Sequence, residues 1–367
     1  MTIFSGCVTH LASGDLWGGA EALVLTLARE QHAIRPGSVR CIVMNPGQLA
    51  DRLVDAAIPT LVLDERRQSF RDLLRSVRAH VRQWRPHVLH AHRQKENLLA
   101  WLGGYGLHAS DGRAPRIVTS VHGMPEPVRG GNPVRRVLKN FVNRTTLSRG
   151  FDAIVAVSQD IANALQADYS PGRVICIHNG VTLPPPHTFG RAPGPVRLLA
   201  LGRLVPIKRF DRLKALAEHL CVSTFGQPLI TLAGEGPLKA ELTRSLEADV
   251  PAGPIQMPGF VADTVALLER TDGLVITSDH EGIPMAALEA LAMGVPVFGF
   301  CVGGLPEIAS SGVPMRLAPA YDVAALAREI VNYFTEHAPG TRRLPPADWS
   351  FDIRQCAHAY DRLYSRV

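Results

Sequence analysis

The sequence predicts an α/β protein built from two doubly wound, Rossmann-like domains, and three observations support this prediction. Short β-branched runs alternate with helical segments over most of the chain, which is the pattern of a parallel sheet with crossover helices. A Pro- and Gly-rich stretch at 184–195 interrupts the alternation once and is predicted as the linker. The 367 residues suffice for two full-sized cores, at roughly 100 to 200 residues per domain.

The strands of the first domain, 1–185, are predicted from seven apolar runs: IFSGCV, RCIVM, TLVL, HVLHA, RIVTSV, AIVAVS and VICI. Helices are expected from about Gly19 and around Arg71. The second domain, 192–348, contains the strand candidates VRLLALG, LITLAGEG, IQMPG, GLVIT and VPVFGF. Apolar residues at helical spacing in the last segment, 350–367, predict a terminal helix. Loops that follow parallel strands hold the ligand in such sheets, so function is expected there.

Composition excludes several classes of protein. Hydrophobic residues make up 46% and charged residues 20%, which is typical of soluble globular chains and not of disordered ones. No basic segment precedes an apolar run at the amino terminus, so we expect neither a signal peptide nor a membrane anchor, and a cytoplasmic location. The apolar stretch 290–305 is predicted to be a buried helix followed by a strand. The six cysteines form no C-x-x-C pair and are predicted to be reduced core residues.

Positive charge is concentrated in the first half of the chain, where the net charge of residues 1–190 is +8 against −2 for the rest. One contribution is a predicted amphipathic helix with an arginine stripe at spacings of four and three, formed by Arg71, Arg75, Arg78, Arg82 and Arg85. The other is the segment 129–149, which has six basic residues and no acid.

This second segment predicts a basic amphipathic helix with apolar residues on its other face. Either contact with an anionic membrane surface or simple exposure to solvent explains its charge. Nucleic acid is disfavoured because no nucleic-acid-binding motif accompanies the charge. The candidate membrane or acceptor-side residues are Arg129, Arg135, Arg136, Lys139 and Arg144.

The segment 278–293, SDHEGIPMAALEALAM, carries the most informative pattern. Pro284 suits the first turn of a helix, so the free backbone amides at the helix start would face an anion; they belong to Gly282, Ile283 and Met285. Glu289 is expected to be embedded among apolar residues, where a carboxylate needs a hydrogen-bond donor. Either a ribose diol or an arginine of the same domain would satisfy it.

Two further loops of the second half suggest a phosphate ligand. Lys208 is predicted at a helix amino terminus, where a cation opposes the helix dipole and calls for an anion. A diphosphate held by Arg203 and Lys208 would supply it, as would an ion pair with Asp211 or another acid. The turn Gly234, Glu235, Gly236 and Pro237 lets the backbone approach a ligand, although it lacks the G-x-G-x-x-G dinucleotide pattern.

In the first half, Gly18 and Gly19 open the first helix, where they form either a phosphate-facing amide pair or a plain turn. His122 follows a predicted strand, which places it on the ligand side of the sheet. His90 and His92 are predicted to be satisfied core histidines, since no third metal ligand is evident. We therefore assign no metal and no cofactor.

Taken together, these motifs resemble the retaining GT-B glycosyltransferases of family 4 over nearly the whole chain. The sequence EGIPMAALE, from Glu281 to Glu289, is similar to the family's signature of two glutamates separated by seven residues. GGAE, V-H-G, V-S-Q-D, H-N-G-V, G-R-L with a following lysine, and G-E-G-P occur in the family's order. The resemblance implies a GT-B fold, with the two domains facing across a cleft and the terminal helix crossing back to the first domain.

The resemblance also implies roles for individual residues. Arg203 and Lys208 would hold the diphosphate of a nucleotide-sugar donor, Glu289 its ribose, and the Gly234–Pro237 turn with backbone near Val261 its base. Glu281, the amides of 282–285 and His122 would contact the transferred sugar, and Gly18 and Gly19 the diphosphate. Arg209 and Ile283 depart from the family, which more often has glycine and an aromatic residue there.

The implied activity is metal-independent, retaining transfer of a hexosyl group from a nucleoside diphosphate sugar, with UDP favoured and GDP-mannose as the other donor. The expected acceptor is a saccharide or a lipid-linked saccharide of an envelope glycan, used at the inner membrane face. Two alternatives are a GT-B-shaped epimerase of nucleotide sugars, disfavoured by the glutamate signature, and a non-catalytic protein that binds sugar nucleotides.

Overall fold

The computed structural model describes residues 4–15, 17–123, 144–185, 194–221, 228–247 and 255–367. These residues form two compact units. Unit 1 comprises residues 1–180 together with 351–367, and unit 2 comprises residues 181–350. The terminal segment therefore packs with the first half of the chain rather than with the residues that precede it.

Unit 1 contains a parallel sheet of seven strands in the order β3-β2-β1-β4-β5-β6-β7. The strands are β1 Val8–Ser13, β2 Val39–Met44, β3 Thr60–Leu63, β4 Val88–Ala91, β5 Arg116–Val121, β6 Ala153–Ala156 and β7 Val174–Cys176. Its helices are α1 Gly19–Ile34, α2 Gln48–Asp55, α3 Phe70–Trp84, α4 Gln94–Gly104, α5 Gln159–Gln166 and the terminal helix α12 Ile353–Arg366, and residues 144–150 are also helical.

Unit 2 contains a parallel sheet of six strands in the order β10-β9-β8-β11-β12-β13. The strands are β8 Arg197–Leu201, β9 Leu229–Ala233, β10 Gln256–Gly259, β11 Gly273–Ile276, β12 Val297–Phe300 and β13 Met315–Ala318. Its helices are α6 Arg212–Cys221, α7 Lys239–Glu247, α8 Thr264–Glu269, α9 Met285–Ala292, α10 Leu305–Ala309 and α11 Val323–Glu336.

Both sheets reverse their strand order in the middle, as doubly wound sheets do. In unit 1 the reversal lies between β1 and β4, and in unit 2 between β8 and β11. Ligands of such sheets bind beyond the carboxyl ends of the strands at this point. The predicted fold class is therefore confirmed, and the residues after β1, β4, β8 and β11 are the ones to examine for function.

The sequence misplaced one strand and missed another. The first strand was predicted over IFSGCV, but β1 is Val8–Ser13, with Val8 opposite Val39 of β2. Thr9, His10 and Ser13 on β1 are buried polar residues, and they concealed the strand in a reading based on apolar runs. The missed strand is β13, which is only four residues long and contains Arg316.

The predicted arginine stripe lies on α3, whose apolar side packs Leu73, Val77 and Val81 into the core. One arginine of the stripe contacts the end of α4. Arg78 donates to the carbonyl oxygens of Leu102 and Tyr105 at the carboxyl end of α4. The prediction of an amphipathic helix is confirmed, and Arg78 stabilises the fold by satisfying carbonyl groups that a helix end leaves without partners.

Two predictions about apolar residues have different outcomes. The stretch 290–305 contains the end of α9 and the strand β12, and both are buried as expected. The cysteines are not uniformly core residues: Cys41 and Cys356 are buried, but Cys301 is exposed because it lies in the loop after β12. Within the described parts of the chain, no helix combines the length and the apolar character needed to span a bilayer.

Candidate functional site

The loop after β8 and the loop after β9 pack closely together in unit 2. The amide of Leu204 donates to the carbonyl of Glu235 over 2.9 Å, and the amide of Leu238 donates to the carbonyl of Leu204 over 3.1 Å. Gly234 has φ +151, and a Cβ there would lie 1.9 Å from the carbonyl oxygen of Gly202. The G-E-G-P turn therefore requires glycine for contact with its neighbouring loop, in addition to any contact with a ligand.

The loop after β8 is also joined to the loop after β11. The hydroxyl of Thr277 donates to the carbonyl of Lys208 over 2.9 Å, and the amide of Asp279 donates to the carbonyl of Ile207 over 2.9 Å. Lys208 ends a short 3-10 turn, and α6 begins only at Arg212. The prediction of Lys208 at a helix amino terminus is thus wrong, since its position is set by the β11 loop and not by a helix dipole.

Lys208, Ser278 and Glu281 form a polar cluster at the carboxyl end of this sheet. The ammonium of Lys208 donates to Glu281 Oε1 over 2.7 Å, and the hydroxyl of Ser278 donates to the same oxygen over 2.5 Å. Glu281 is buried, with 8% of its surface exposed. Charge-assisted hydrogen bonds of this kind offset the cost of burying the carboxylate.

Arg209, one of the two departures from the family pattern, occupies the left-handed backbone region with φ +48. Its guanidinium donates to Asp211 over 2.9 Å and to Asp279 over 3.4 Å. These carboxylates, Asp211 first, raise its pKa above the usual value for arginine. Asp279 also pairs with Arg212 over 2.7 Å, so the acids next to the cluster are already shared between two arginines.

The turn from Glu281 to Pro284 rests on a glycine pair after β12 that the sequence reasoning did not single out. The amide of Gly304 donates to the carbonyl of Glu281 over 3.0 Å. Gly303 has φ +54, and a Cβ there would lie 1.9 Å from the same carbonyl oxygen. A Gly-Gly pair directly after an apolar run was the signal available in the sequence.

The predicted nucleotide-binding residues lie around this cluster with differing exposure. Pro284 precedes α9, and Met285 is its first residue, so the amides at that helix start are present as predicted. Glu289, on the same helix, is half-buried rather than embedded, so the inference from a fully buried carboxylate is wrong. Arg203 and Val261 are half-buried in loops after β8 and β10, and Pro237 is exposed.

In unit 1, α1 begins at Gly19 directly after Gly18, as predicted. Glu21, in the first turn, is buried and pairs with Arg93 at the start of α4. Because α1 follows β1 and Arg93 follows β4, this ion pair spans the point where the strand order reverses. Charge at the carboxyl end of this sheet is therefore balanced between these two side chains.

Four histidines lie side by side on one face of the unit 1 sheet. His10 is directly opposite His90 in the pairing of β1 with β4, and His92 and His122 follow the ends of β4 and β5. His10 Nδ1 is 3.1 Å from His92 Nε2, and His92 Nδ1 is 3.2 Å from His122 Nε2. The sequence placed His122 on the ligand side of the sheet and predicted His90 and His92 to be satisfied core histidines, which their burial and hydrogen bonds confirm; it did not single out His10.

Three of these rings, His10, His90 and His92, bring nitrogen atoms to within 4.8 Å of one another, which is a spacing that a metal ion could use. Every ring nitrogen of the three has a hydrogen-bond partner. His90 is bonded to Tyr364 Oη over 2.7 Å and to Ser120 Oγ over 2.8 Å. Hydrogen bonds thus satisfy these rings, and a metal would have to replace several of them.

The basic segment is largely outside the described residues, which include neither Arg129, Arg135, Arg136 nor Lys139. Arg144 is in the described helical stretch and pairs with Asp168 over 3.2 Å.

Unit 2 thus presents cations, backbone amides and a hydrogen-bonded carboxylate at the carboxyl end of its sheet. Cations and helix-start amides are the groups that bind phosphates, and a carboxylate is a group that binds hydroxyls. Within unit 2 this chemistry suits a ligand that joins an anionic part to a hydroxyl-rich part.

Comparison with known proteins identifies the family to which the chain is similar. The family model of glycosyl transferases group 1 matches residues 195–336, and the model of Glycosyltransferase Family 4 matches residues 17–183. The glycogen synthase of Mycobacterium tuberculosis is 28% identical over 296 residues, which cover 77% of this chain and 69% of that protein. A GDP-mannose-dependent alpha-(1-6)-phosphatidylinositol dimannoside mannosyltransferase of Mycobacterium tuberculosis is 37% identical over 119 residues, 32% of this chain and 30% of that one.

Among solved structures, Anabaena Alr3699/HepE in complex with UDP and glucose aligns with a TM-score of 0.70 over 98% of this chain and 95% of that one, at 18% identity. That likeness supports the GT-B fold. The two family matches lie on either side of residues 184–194 and include every strand except β1, and they agree with the motifs and with the strand order. The chain therefore belongs to the GT-B glycosyltransferases of the family 4 type, enzymes that use a nucleotide-sugar donor.

Proposed function

We propose that this glycosyltransferase transfers a hexosyl group from a UDP-sugar, or from GDP-mannose, to a saccharide or lipid-linked saccharide acceptor. The observation that carries the proposal is the cluster of Lys208, Ser278 and Glu281 at the carboxyl end of the unit 2 sheet. Its ammonium suits a diphosphate and its carboxylate suits sugar hydroxyls. The UDP complexes of HepE favour a UDP-sugar as the donor. The GDP-mannose-dependent relative is the reason for proposing GDP-mannose as the other donor.

Diphosphate binding would change the partners within this cluster. In the structure the charge of Lys208 is directed to Glu281. A diphosphate carries more negative charge than one carboxylate and would attract the ammonium, together with Arg203 and the amides at the start of α9. Glu281 would then accept hydrogen bonds from hydroxyls of the transferred sugar, while Ser278 still holds it in position.

The ribose is assigned to Glu289. That residue is half-buried on α9, and a carboxylate accepts hydrogen bonds of the kind that a diol donates. The turn at Gly234–Pro237 and the backbone near Val261 would line the base. In unit 1, the amides at Gly18 and Gly19 are assigned to the diphosphate and His122 to the sugar.

The reaction is expected to retain the anomeric configuration without a metal ion. As the glycosidic bond breaks, positive charge develops on the sugar and negative charge on the diphosphate, which Arg203 and Lys208 would stabilise. Retaining hydrolases use two carboxyl groups about 5 to 5.5 Å apart. Glu281 and Glu289 are eight positions apart, so we assign no covalent intermediate to them. Front-face departure, with the leaving phosphate accepting the acceptor proton, fits these residues better.

Calorimetry with UDP and with GDP, in the presence of a chelator, tests donor binding. We expect one nucleotide to bind and Lys208→Met to weaken it by about 1.5 to 3 kcal/mol, the value of hydrogen bonds to charged groups. Lys95→Met, which removes a lysine paired with Glu65 in unit 1, is the matched control and should leave the affinity unchanged. Wild-type protein that binds neither nucleotide would contradict the proposal.

A transfer assay with the bound nucleotide's sugars then tests the reaction. NMR of the product reports the anomeric configuration, and inversion would reject the retaining mechanism. Conversion of the donor to another nucleotide sugar without an acceptor would identify an epimerase instead. Binding without turnover for any acceptor would leave only a sugar-nucleotide-binding protein.

The membrane part of the proposal rests on the charge of the segment 129–149. We expect the protein to float with anionic liposomes and the triple variant Arg135→Gln, Arg136→Gln and Lys139→Gln to remain soluble. The matched control removes three exposed arginines of α3, namely Arg71, Arg75 and Arg82. Equal flotation of both triple variants and the wild type would reject a specific role for this segment.

A further inference from the structure

His122 is the last member of a row of side chains that runs into the core of unit 1. Behind it come His92 and His10, with ring nitrogens 3.2 Å and 3.1 Å apart at the two steps. The row ends at Gln31 of α1, whose Oε1 is 2.8 Å from His10 Nε2. We call these four residues the histidine row.

The three rings of the row are uncharged at neutral pH. Burial lowers the pKa of His10 to about 4. Burial, and to a lesser extent Arg93, lowers the pKa of His122 to about 4. Burial also holds the pKa of His92 well below its usual value. Each ring therefore carries one N–H group and one bare nitrogen.

The orientation of the Gln31 amide sets the direction of every hydrogen bond in the row. The structure turns its Oε1 toward His10, and because a carbonyl oxygen only accepts, His10 in this arrangement carries its proton on Nε2, which leaves His10 Nδ1 bare. The bare nitrogen accepts from His92 Nε2–H, which leaves His92 Nδ1 bare. That nitrogen in turn accepts from His122 Nε2–H. His122 Nδ1 is consequently bare as well.

This last nitrogen is buried and has no hydrogen-bond partner among the described residues. Leaving a buried acceptor without a partner costs about 1 to 3 kcal/mol. A hydroxyl group of a ligand would remove that cost by donating a hydrogen bond to His122 Nδ1. A carboxylate or a phosphate oxygen has no proton to donate and would be repelled by the lone pair.

We propose that Gln31, His10 and His92 are positioning residues that hold His122 in its Nε2–H tautomer, so that its Nδ1 accepts a hydrogen bond from a hydroxyl of the transferred sugar. The inference rests on the proposed function for its ligand, although the tautomer itself does not. It adds a specificity: at this position the site selects a neutral hexose with a hydroxyl group over a sugar bearing a carboxylate.

The tautomer can be measured without any ligand. Long-range proton–nitrogen NMR of the ¹⁵N-labelled protein distinguishes a protonated from a bare ring nitrogen, and the His122→Gln variant assigns the His122 signals by their loss. We expect a protonated Nε2 and a bare Nδ1 at His122 in the wild type. A protonated Nδ1 in the wild type would overturn the proposal.

Variants of Gln31 test whether the row is responsible. Gln31→Glu keeps an oxygen acceptor for His10, whereas Gln31→Leu removes it. We expect Gln31→Leu to give mixed tautomers at His122 and to lower kcat/KM by about 5- to 10-fold, as loss of one ordered hydrogen bond predicts. Gln31→Glu should keep the wild-type tautomer and restore most of the rate.

Asn97→Leu is the matched control, because it removes another buried amide of unit 1, one that accepts from Thr119. It should leave the His122 signals unchanged. Equal effects of Asn97→Leu and Gln31→Leu on those signals and on the rate, or a Gln31→Glu variant as impaired as Gln31→Leu, would overturn the proposal.

Donor analogues identify the hydroxyl. Each hydroxyl of the donor hexose is replaced in turn by hydrogen, and kcat/KM is compared for the wild type and His122→Ala. We expect one position whose replacement impairs the wild type about 10-fold, for loss of about 1.4 kcal/mol, and the variant much less. If every replacement impairs both proteins equally, the ligand assignment is wrong. A protein that binds no nucleotide sugar overturns the proposed function, whereas turnover by a protein with a protonated Nδ1 overturns only the tautomer assignment.

Discussion

At the scale of single residues, the candidate site of unit 2 depends on glycines that are required because neighbouring loops pack against them. Gly234 touches the carbonyl of Gly202, and Gly303 touches the carbonyl of Glu281. In both cases a backbone carbonyl occupies the space of a Cβ. The sequence shows these glycines but not the carbonyls beside them, since each contact joins loops that follow different strands.

Gly303→Ala should displace the turn that carries Glu281. A Cβ 1.9 Å from a carbonyl oxygen forces that turn to move, so we expect at least a 10-fold loss of kcat/KM and a stability loss above 1 kcal/mol. Transfer kinetics and urea unfolding measure the two effects.

Gly312→Ala is the control for this prediction, because Gly312 has φ +78 with open space around it. It shares the backbone strain without the clash, so it should cost about 1 kcal/mol and leave kcat/KM unchanged. Equal activity of the two variants would show that the contact of Gly303 with Glu281 does not position the site.

Removing the charge of Glu281 from its ion pair with Lys208 should change nucleotide affinity and kcat in opposite directions. Glu281→Gln keeps the shape of the side chain but withdraws the negative charge from Lys208, so we expect nucleotide affinity to rise about 3-fold while kcat falls at least 10-fold. Calorimetry and transfer kinetics of the same preparation separate the two effects. A parallel fall of affinity and kcat would show that Glu281 supports the diphosphate rather than the sugar.

At the scale of elements, the terminal helix α12 contributes to a group of buried, hydrogen-bonded polar side chains in unit 1, which we call the polar layer. Tyr360 and Tyr364 are fully buried, with hydroxyls 2.7 Å from Ser120 Oγ and His90 Nδ1 respectively. Asp361 pairs with Arg35, which directly follows α1, and one of its hydrogen bonds is 2.9 Å long. These contacts join the terminal helix to the first half of the chain, so the fold of unit 1 requires residues from both.

Tyr364→Phe should lower the free energy of unfolding of unit 1 by about 1 to 3 kcal/mol, because it leaves His90 Nδ1 buried without a partner. Urea unfolding followed by circular dichroism measures this. Tyr105→Phe, at a residue 73% exposed, is the control and should change nothing. If both variants are as stable as the wild type, the hydroxyl of Tyr364 contributes nothing to the layer.

At the scale of the whole molecule, the buried histidines predict a specific response to acid. The pKa values of His10, His80 and His122 are lowered to about 4, chiefly by burial. Between pH 6.5 and 4 the unfolded chain therefore binds protons that the folded chain does not. Stability should fall as the pH is lowered through this window, by about 1.4 kcal/mol per pH unit for each such histidine.

Glu96 acts in the opposite direction, because burial raises the pKa of its carboxyl group to about 7. From pH 4.5 to 7 the folded state holds a proton that the unfolded state has lost, so this group destabilises the fold as the pH rises. Three or more histidines change the free energy of unfolding with pH more than one glutamate does, so stability should fall toward acid pH. Urea unfolding at pH 7, 6 and 5 tests the sum, and His80→Gln should reduce the slope; stability that is constant or rises toward pH 5 would contradict it.

Much of the fold and of the site was predictable from local patterns. Alternating apolar runs predicted the two parallel sheets, since burial on both faces leaves a clear apolar signal in each strand. The position of β1 was missed because Thr9 and His10 are polar and yet buried. The half-buried position of Glu289 was missed because an apolar neighbourhood in the sequence does not show which face of a helix lies open.

The sequence by itself determined the fold class, the family and the residue types at the site, because strand periodicity, loop glycines and the Glu281–Glu289 motif are local in the chain. Only the tertiary structure decided which partners these residues have. Lys208 and Glu281 are 73 positions apart, and His10 and His92 are 82 apart, yet the two members of each pair are in hydrogen-bond contact. Parallel pairing brings such distant residues to one edge of a sheet, so hydrogen-bond direction, charge balance and the histidine row follow from strand order and not from spacing along the chain.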